Sequence, residues 1–388
     1  MRAVIKFGGV SLGTGEKVKI AAESVLKAKY EEKVVVVSAP GKTTDQLLDL
    51  ISSFEEKIDE REYAEILSMG ERTSVKVFSS ALKTLGANVR VYDPSEPDFP
   101  IVTRNGYINA EVDLEETRRG CTQIADELHS KIVVVPGFVG RGQDGVSILG
   151  RGGSDITATV LGNCLKADEV ILVKDTEGIM SADPKLVKEA RPVDQLSIEE
   201  MYALAHGGAK VVRPEALYFK LPTQRLRIVQ FGKPIDTGGT EILGAINPDK
   251  PAVVIERGIR EITVVCSSMS GVIPEVTKKL GERLVGIGTA SHNVTFFFTG
   301  EDWADICRLA HGLEGVKAVS GKDGIGSVSL LHPYLVDRPG VVAKAATLLS
   351  LNGINIYEIT SSKGSLTLFI LERDLEKAKQ LLEENVIV

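Results

Sequence analysis

Short, nearly continuous apolar runs alternate with helix-period segments over residues 1–245 of the chain. Runs such as KVVVVS from Lys33 and KIVVVPGF from Lys131 leave no polar side to face water, which suits strands covered by helices on both faces. Strands are predicted at Ala3–Phe7, Lys33–Ser38, Asn88–Tyr92, Lys131–Gly137, Glu169–Val173 and Arg227–Val229. Between them, apolar spacing predicts helices at Glu16–Ala28, Asp45–Ile58, Arg61–Leu85, Leu114–His129, Asp155–Leu165 and Ile198–Ala205. Ser197, with Glu200 three residues later, reads as a capping box opening the last of these. The alternation predicts an α/β fold, a mainly parallel sheet sandwiched by helices.

From Pro234 to Pro251 the texture changes. Asp236-Thr237-Gly238-Gly239-Thr240 and Asn247-Pro248 are turn formers that read as an interdomain connection. Beyond it the chain repeats itself. Residues 255–325 run strand (EITVVCS), helix (PEVTKKLGE), strand (LVGIGT), strand (NVTFFFT), helix (DWADICRLAHGL), strand (GVKAV). Residues 326–388 keep the same order through SVSLLHP, GVVAKAATLLSLNG, INIYEIT, LTLFILE, LEKAKQLLEE and VIV. Gly353 suits the position just past a helix, where a left-handed residue closes the last turn. Two successive βαββαβ units predict a ferredoxin-like pair. Neither carries a nucleophile or paired acids, so ligand sensing or assembly is their expected use.

Two glycine-rich strand ends carry the chemistry of the first unit: KFGGVS at Lys6–Ser11 and GRGGSD at Gly150–Asp155. Both fall where ligands gather in such sheets, at the carboxyl ends of strands. Bare amides and a helix N-terminus make a seat for phosphate oxygens, and Lys6 can neutralise charge on a transferring phosphoryl group. Gly8 and Gly9 let the backbone approach those oxygens. Glycines 150, 152 and 153 around Arg151 are costly in entropy for a mere turn. Arg151 can clamp a carboxylate in bidentate fashion. Ser154 and Asp155 stand where a helix starts and could also cap it.

Other segments are weaker alone. Lys174 to Lys185 follows a buried strand, and its acidic and glycine residues could edge a nucleotide's base and ribose; a plain polar loop is the ordinary alternative. Gly70 interrupts a helical pattern and could mark a break that turns Glu71 into the cleft. Thr44 and Asp45 are placed to cap the helix after the Ser38–Asp45 loop. Lys210 offers a second lysine for phosphate, with a surface lysine as its rival reading.

Composition narrows the partners. With 388 residues, 43% apolar and 26% charged, the chain has the make-up of a soluble protein of two or three domains. A net charge of −7 argues against nucleic acid or an anionic membrane. No apolar stretch approaches the ~20 residues of a membrane span. The N-terminus enters a strand at once, so no signal peptide is expected. Cys121, Cys164, Cys266 and Cys307 are widely separated and read as reduced packing residues of a cytoplasmic protein. No protein-held metal is expected, whereas Mg2+ carried on nucleotide phosphates needs few protein ligands. No general base stands out, and an already ionised carboxylate acceptor would need none.

In order and spacing these segments resemble the aspartate kinases of the amino-acid kinase superfamily, over nearly the whole chain. KFGGVS is similar to that family's KFGGTS, SAPGKTTD to its SAxxGxTD loop, GERTS to GExxS, and GRGGSD matches letter for letter. VKDTEGIMSADPKLV resembles TDVxGIYxADPRxV, and HGGAKVVRP resembles LGAKVLHP. PGFVG corresponds to the loop before the second glycine motif. The repeated tail resembles a tandem pair of ACT regulatory domains, clearest in LVDRPGVVAKAATLLSLNGINI.

The resemblance implies ATP-dependent phosphorylation of the side-chain carboxylate of L-aspartate, at the head of lysine, threonine and methionine biosynthesis. It implies catalytic roles for Lys6, Asp155 and Arg151. Arg151 would grip the α-carboxylate and Glu71 the amino group, with Thr44, Gly152, Gly153 and Ser154 completing the acceptor pocket. Lys6, Phe7, Gly8, Gly9, Lys174, Asp175, Met180, Lys185, Lys210 and Val211 would line ATP, with Mg2+ on the nucleotide. An amino-acid effector at the ACT units and a homodimer or larger assembly through them are also implied. Departures from the pattern are Val10 and Lys174 for threonine, Met180 for tyrosine, Lys185 for arginine and Arg213 for histidine. The first repeat has SMSGVIPE where an effector loop would stand, while the second keeps Asp337-Arg338-Pro339-Gly340. Rival readings are an amino-acid kinase acting on another carboxylate or a carbamate, and a catalytically silent amino-acid sensor.

Overall fold

The computed structural model describes residues 1–54, 58–150, 152–206, 211–245, 252–332, 335, 339–362 and 364–386. The chain forms two compact units, Met1–Ile246 and Asn247–Val388.

In the first unit the apolar runs become β1 (Arg2–Phe7), β2 (Glu32–Val37), β3 (Val89–Val91), β4 (Ile132–Pro136) and β5 (Glu169–Lys174). Further along are β6 (Gln195–Ser197), β7 (Arg225–Gln230) and β8 (Thr240–Leu243). They form one sheet in the order β6-β8-β7-β5-β1-β2-β4-β3. Every neighbouring pair is parallel except β7 with β8. The segment read from its glycines as a connector therefore contains a strand of the sheet. Thr240 explains this: its buried hydroxyl receives the Ile179 N–H at 2.7 Å and donates to the Val193 carbonyl at 2.6 Å.

The helices are α1 (Gly15–Lys27), α2 (Thr43–Ser52), α3 (Glu60–Thr84), α4 (Leu114–Glu127), α5 (Gly153–Cys164), α6 (Ile198–His206) and the short α7 (Pro214–Leu217). Alternation along β1 decides what each face meets. Ala3, Ile5 and Phe7 join Val18, Ala21 and Val25 of α1 and Val75, Phe78 and Leu82 of α3 in one core. Val4 and Lys6 point to the other face, where α5 lies. Ser197 and Glu200 form the reciprocal capping bonds at 3.1 and 2.7 Å. Helix α3 runs unbroken through Gly70, against the expected break. Cys121 and Cys164, remote in sequence, interact thiol to thiol, which pushes Cys121 up and Cys164 down; all four cysteines are free.

The second unit holds β9 (Ala252–Cys266), α8 (Val272–Leu280), β10 (Leu284–Ala290), β11 (Asn293–Thr299), α9 (Trp303–His311), β12 (Val316–Leu331), α10 (Val341–Leu351), β13 (Glu358–Ser362), β14 (Ser365–Leu371) and α11 (Leu375–Asn385). Its strands form one antiparallel sheet in the order β10-β11-β9-β12-β14-β13. Strand pairing crosses the boundary expected between sequential repeats. Residues 259–266 of β9 pair within the first repeat, while Ala252 to Glu256 pair with Leu331 to Ser327 and fill the fourth-strand position of the second. VIV was expected there; α11 ends at Asn385, and residues 387–388 lie outside the described residues. The long β9 already lies beside β12, so extending it closes no new loop. Among the described residues no helix is long and apolar enough to cross a membrane.

Candidate active site

Strand β1 lies between β2 and β5, so the chain departs to opposite sides of it. At such a switch point ligands bind outside the carboxyl ends of the strands, here those of β1 and β5. Lys6 stands near the end of β1 and Lys174 at the end of β5. In the parallel register Lys6 is opposite Leu172, so Lys6, Leu172 and Lys174 share one face of the sheet. Helix α5 delivers Asp155 to the same place, in its first turn.

The three side chains form one cluster. Lys6 Nζ is 2.7 Å from Asp155 Oδ1, and Lys174 Nζ donates to Oδ2 at 2.8 Å. Burial pushes the Lys6 ammonium down to about 8, against the pull of Asp155. Burial alone would raise Asp155, but Lys174 and Lys6 overcome it and hold the carboxyl down at about 2. Each oxygen of Asp155 thus lies within ion-pair reach of an ammonium group, Oδ2 accepting a hydrogen bond from Lys174 and Oδ1 pairing with Lys6 by charge alone. The carboxylate organises two cations and is not a free base.

The glycine turn sits at the tip of Lys6. A Cβ on Gly8 would lie 3.8 Å from Lys6 Nζ, and one on Gly9 only 2.6 Å from the Ala39 carbonyl oxygen. Gly9 therefore lets the turn press against the loop after β2, where the Gly41 N–H donates to the Gly9 carbonyl at 2.9 Å. The turn opens a 3₁₀ turn, Gly9–Leu12, and α1 follows only at Gly15.

Glu71 approaches from α3. It is buried and accepts the Ala39 N–H on Oε1 at 3.1 Å. Oε2 is also buried and has no hydrogen-bond partner among the described residues. Burial pushes the carboxyl up to about 7, against the Ala39 amide and Lys6. Gly70 serves this contact, since a Cβ there would stand 2.7 Å from the Ala39 methyl.

At the start of α5, Gly152 occupies the cap position with φ 78°, and no side chain caps the helix. Ser154 and Asp155 lie inside the first turn, not at its cap. Thr44 likewise falls within α2, because Lys42 holds the cap position and the Thr43 hydroxyl donates to the Pro40 carbonyl at 2.6 Å. Ser154 is buried against Gly137, whose Cβ would clash with it at 2.6 Å.

The remaining expected residues scatter. The Phe7 side chain lies in the core against Phe78, leaving only its backbone near the cleft. Asp175 and Lys185 are exposed. Met180 belongs to a hairpin pairing Ile179–Met180 with Pro192–Val193, and Val211 is half-buried. Arg151 and Lys210 lie outside the described residues, as do Asp337 and Arg338 of the second repeat. Sequence reasoning missed the Ala39 amide, Gly137 and Phe138, whose N–H donates to Thr157 Oγ1 at 3.1 Å. A glycine straight after a buried strand was the available signal for Gly137; backbone amides leave none. Among the described residues no group of three or more His, Cys, Asp or Glu could hold a metal.

Residues 1–229 match the Amino acid kinase family and residues 320–384 an ACT domain. The aspartokinase of Mycolicibacterium smegmatis is 32% identical over 98% of this chain and 95% of its own. That of Corynebacterium glutamicum is 31% identical over the same shares, 98% and 95%. Among solved structures, aspartate kinase from Synechocystis superimposes with a TM-score of 0.76 at 25% identity, over 99% of this chain and 69% of that one. E. coli aspartokinase III, solved with aspartate and ADP, shares the fold at a TM-score of 0.60 and 21% identity, over 100% of both chains. The likeness to curated relatives spans catalytic and regulatory parts alike, and the chain belongs to the aspartokinases of the amino acid kinase family.

Proposed function

We propose that this chain transfers the γ-phosphoryl group of ATP to the side-chain carboxylate of L-aspartate, giving 4-phospho-L-aspartate and ADP. The observation that carries the chemistry is Asp155 held between Lys6 and Lys174 beside a bare glycine turn. The γ-phosphorus loses its bond to the bridging oxygen, which leaves with ADP, and gains a bond to the carboxylate oxygen. No proton need move, because the acceptor is ionised near neutral pH. The chain's contribution is positioning and charge neutralisation.

Gly8 and Gly9 present backbone to the phosphates and Lys6 meets the transferring group. Asp155 keeps Lys6 in place. Glu71, with its unpartnered Oε2, receives the acceptor's ammonium; Arg151 takes the α-carboxylate, with Thr44 and Ser154 beside it. The loop after β5, from Asp175 to Lys185, and the 210–211 segment line the nucleotide. Mg2+ would arrive with the nucleotide, whose phosphates leave few ligands for the protein to supply. When bound, that ion neutralises further phosphate charge.

The second unit supports an effector role. A recess of about 240 Å³ is lined by Gly340, Val341, Ser361, Ser362 and Ser365 at the start of α10. An amino acid bound there would tune the rate, and paired ACT units would join copies into a homodimer or larger in the cytoplasm. Phosphorus NMR tests the reaction: Mg-ATP and aspartate should yield an acyl-phosphate signal matching the ADP formed. Loss of ATP with free phosphate as the sole product would overturn the reading. Initial rates with added lysine, threonine or methionine test the effector, and light scattering the assembly.

A further inference from the structure

Lys174 does more than an edge residue of the nucleotide site would require. One buried lysine facing one buried carboxylate is a neutral pair with little pull on an anion. Here a second ammonium reaches the same carboxylate, at 2.8 Å on the opposite oxygen, so the cluster carries a net positive charge. The N-terminus of α5, whose first turn carries Asp155, adds to that charge. Two cations on one buried carboxylate repel each other, and an arriving anion relieves the repulsion.

The strands place this charge where a phosphate chain on the glycine turn would end. β1 and β5 are neighbours, and a Cβ on Gly8 would lie 3.9 Å from the Val173 carbonyl oxygen as well as 3.8 Å from Lys6 Nζ. The end of β5 thus borders the turn. Lys174 is the more open of the two lysines, with 17% of its side chain exposed against 7% for Lys6. Lys6 lies beside the turn, and Lys174 is the more accessible of the pair.

The geometry points to Lys174 as a second catalytic lysine, contacting the transferring phosphoryl group opposite Lys6, with Asp155 setting the separation of the two ammonium groups. This rests on the phosphotransfer reading above. Lys174 acts through its charge and transfers no proton. It neutralises the charge gathering on the phosphoryl oxygens as the bond to the bridging oxygen breaks and the bond to the carboxylate oxygen forms.

The test compares full-length wild type with K174M, K174Q and K174R, assayed with Mg-ATP, Mg-ATPγS and aspartate. Thermal midpoints are measured alongside. In K174M and K174Q, kcat should fall about 10²-fold, the size seen when one transition-state donor is removed. KM for aspartate should stay within about twofold, and K174R should recover much of kcat. The kcat ratio of ATP to ATPγS should shift in K174M and K174Q, a change that loss of folded protein does not produce. Values of kcat within about threefold of wild type in K174M and K174Q would overturn the inference. So would a loss confined to the folded fraction with the thio ratio unchanged. Inactive wild type would instead remove the phosphotransfer reading, and this inference with it.

Discussion

Gly70 of α3 lies so close to Ala39 that a Cβ on it would stand 2.7 Å from the Ala39 methyl. The next residue, Glu71, accepts the Ala39 N–H at 3.1 Å. A helix glycine and the loop after β2 thus hold the Glu71 carboxylate in one contact. Gly70→Ala must push that loop away. We expect KM for aspartate to rise about tenfold and KM for ATP to change less than twofold. Steady-state kinetics with each substrate varied checks this, and equal rises in both would contradict it. The helix gains alanine's propensity, about 1 kcal/mol over glycine, so overall stability should change little.

Glu71 also sets a pH dependence. Its carboxyl is pushed up to about 7 by burial, and its ionised form is the one that attracts an ammonium. Protonation below that pH removes the attraction. Therefore kcat/KM for aspartate should fall about tenfold per pH unit below about 7, while kcat, reporting the occupied enzyme, falls later. Glu71→Gln should lower kcat/KM at pH 8 and flatten the profile. A profile in Glu71→Gln parallel to wild type would assign the titration elsewhere.

How far the sequence carries can be judged on particular residues. The sheet was legible because its strands are buried on both faces, and a run such as KVVVVS has few alternatives. Lys6 and Asp155 were legible because glycine-rich turns at strand ends advertise close backbone approach. Their union with Lys174 was not, since it depends on β1 and β5 being neighbours in register. Gly70 was misread because a mid-helix glycine looks the same whether it breaks a helix or admits a neighbour. Thr240 hid among glycines that suggest a linker, and the long β9 defeated a sequential division of the repeats. Long-range pairing leaves no local signature.

The Lys6–Asp155–Lys174 cluster should contribute little to stability. Lys6 is lowered from 10.5 to about 8, roughly 3 kcal/mol against its charged form, while Asp155 is lowered from 3.8 to about 2, roughly 2–3 kcal/mol in favour of its own. These nearly offset. Lys6→Met should leave the thermal midpoint within a few degrees while abolishing turnover. Asp155→Asn leaves two ammonium groups facing each other without their carboxylate and should cost about 3–5 kcal/mol. For Lys6 the unfolded chain binds the extra proton. Stability should therefore rise as pH climbs from about 8 towards 10.5, and that rise should vanish in Lys6→Met. Denaturant titrations at several pH values measure both.

At the opposite end of β5, Glu169 has a structural part. Its carboxylate receives the Tyr30 hydroxyl at 2.6 Å and the Arg227 guanidinium, which also donates to the Ile235 and Gly238 carbonyls at 3.0 and 2.8 Å. All three side chains are buried. Glu169→Ala leaves Arg227 without its counter-charge and should cost about 3–5 kcal/mol. In the folded fraction, KM for both substrates should match wild type. Altered KM with normal stability would reverse that assignment.

The most direct test of the central claim is hydroxamate trapping of the product, with wild type and Lys6→Ala side by side. Wild type with Mg-ATP and aspartate should form aspartyl hydroxamate in step with ADP, and Lys6→Ala should form at least about 10³-fold less. No hydroxamate from wild type, or equal amounts from both, would contradict the account.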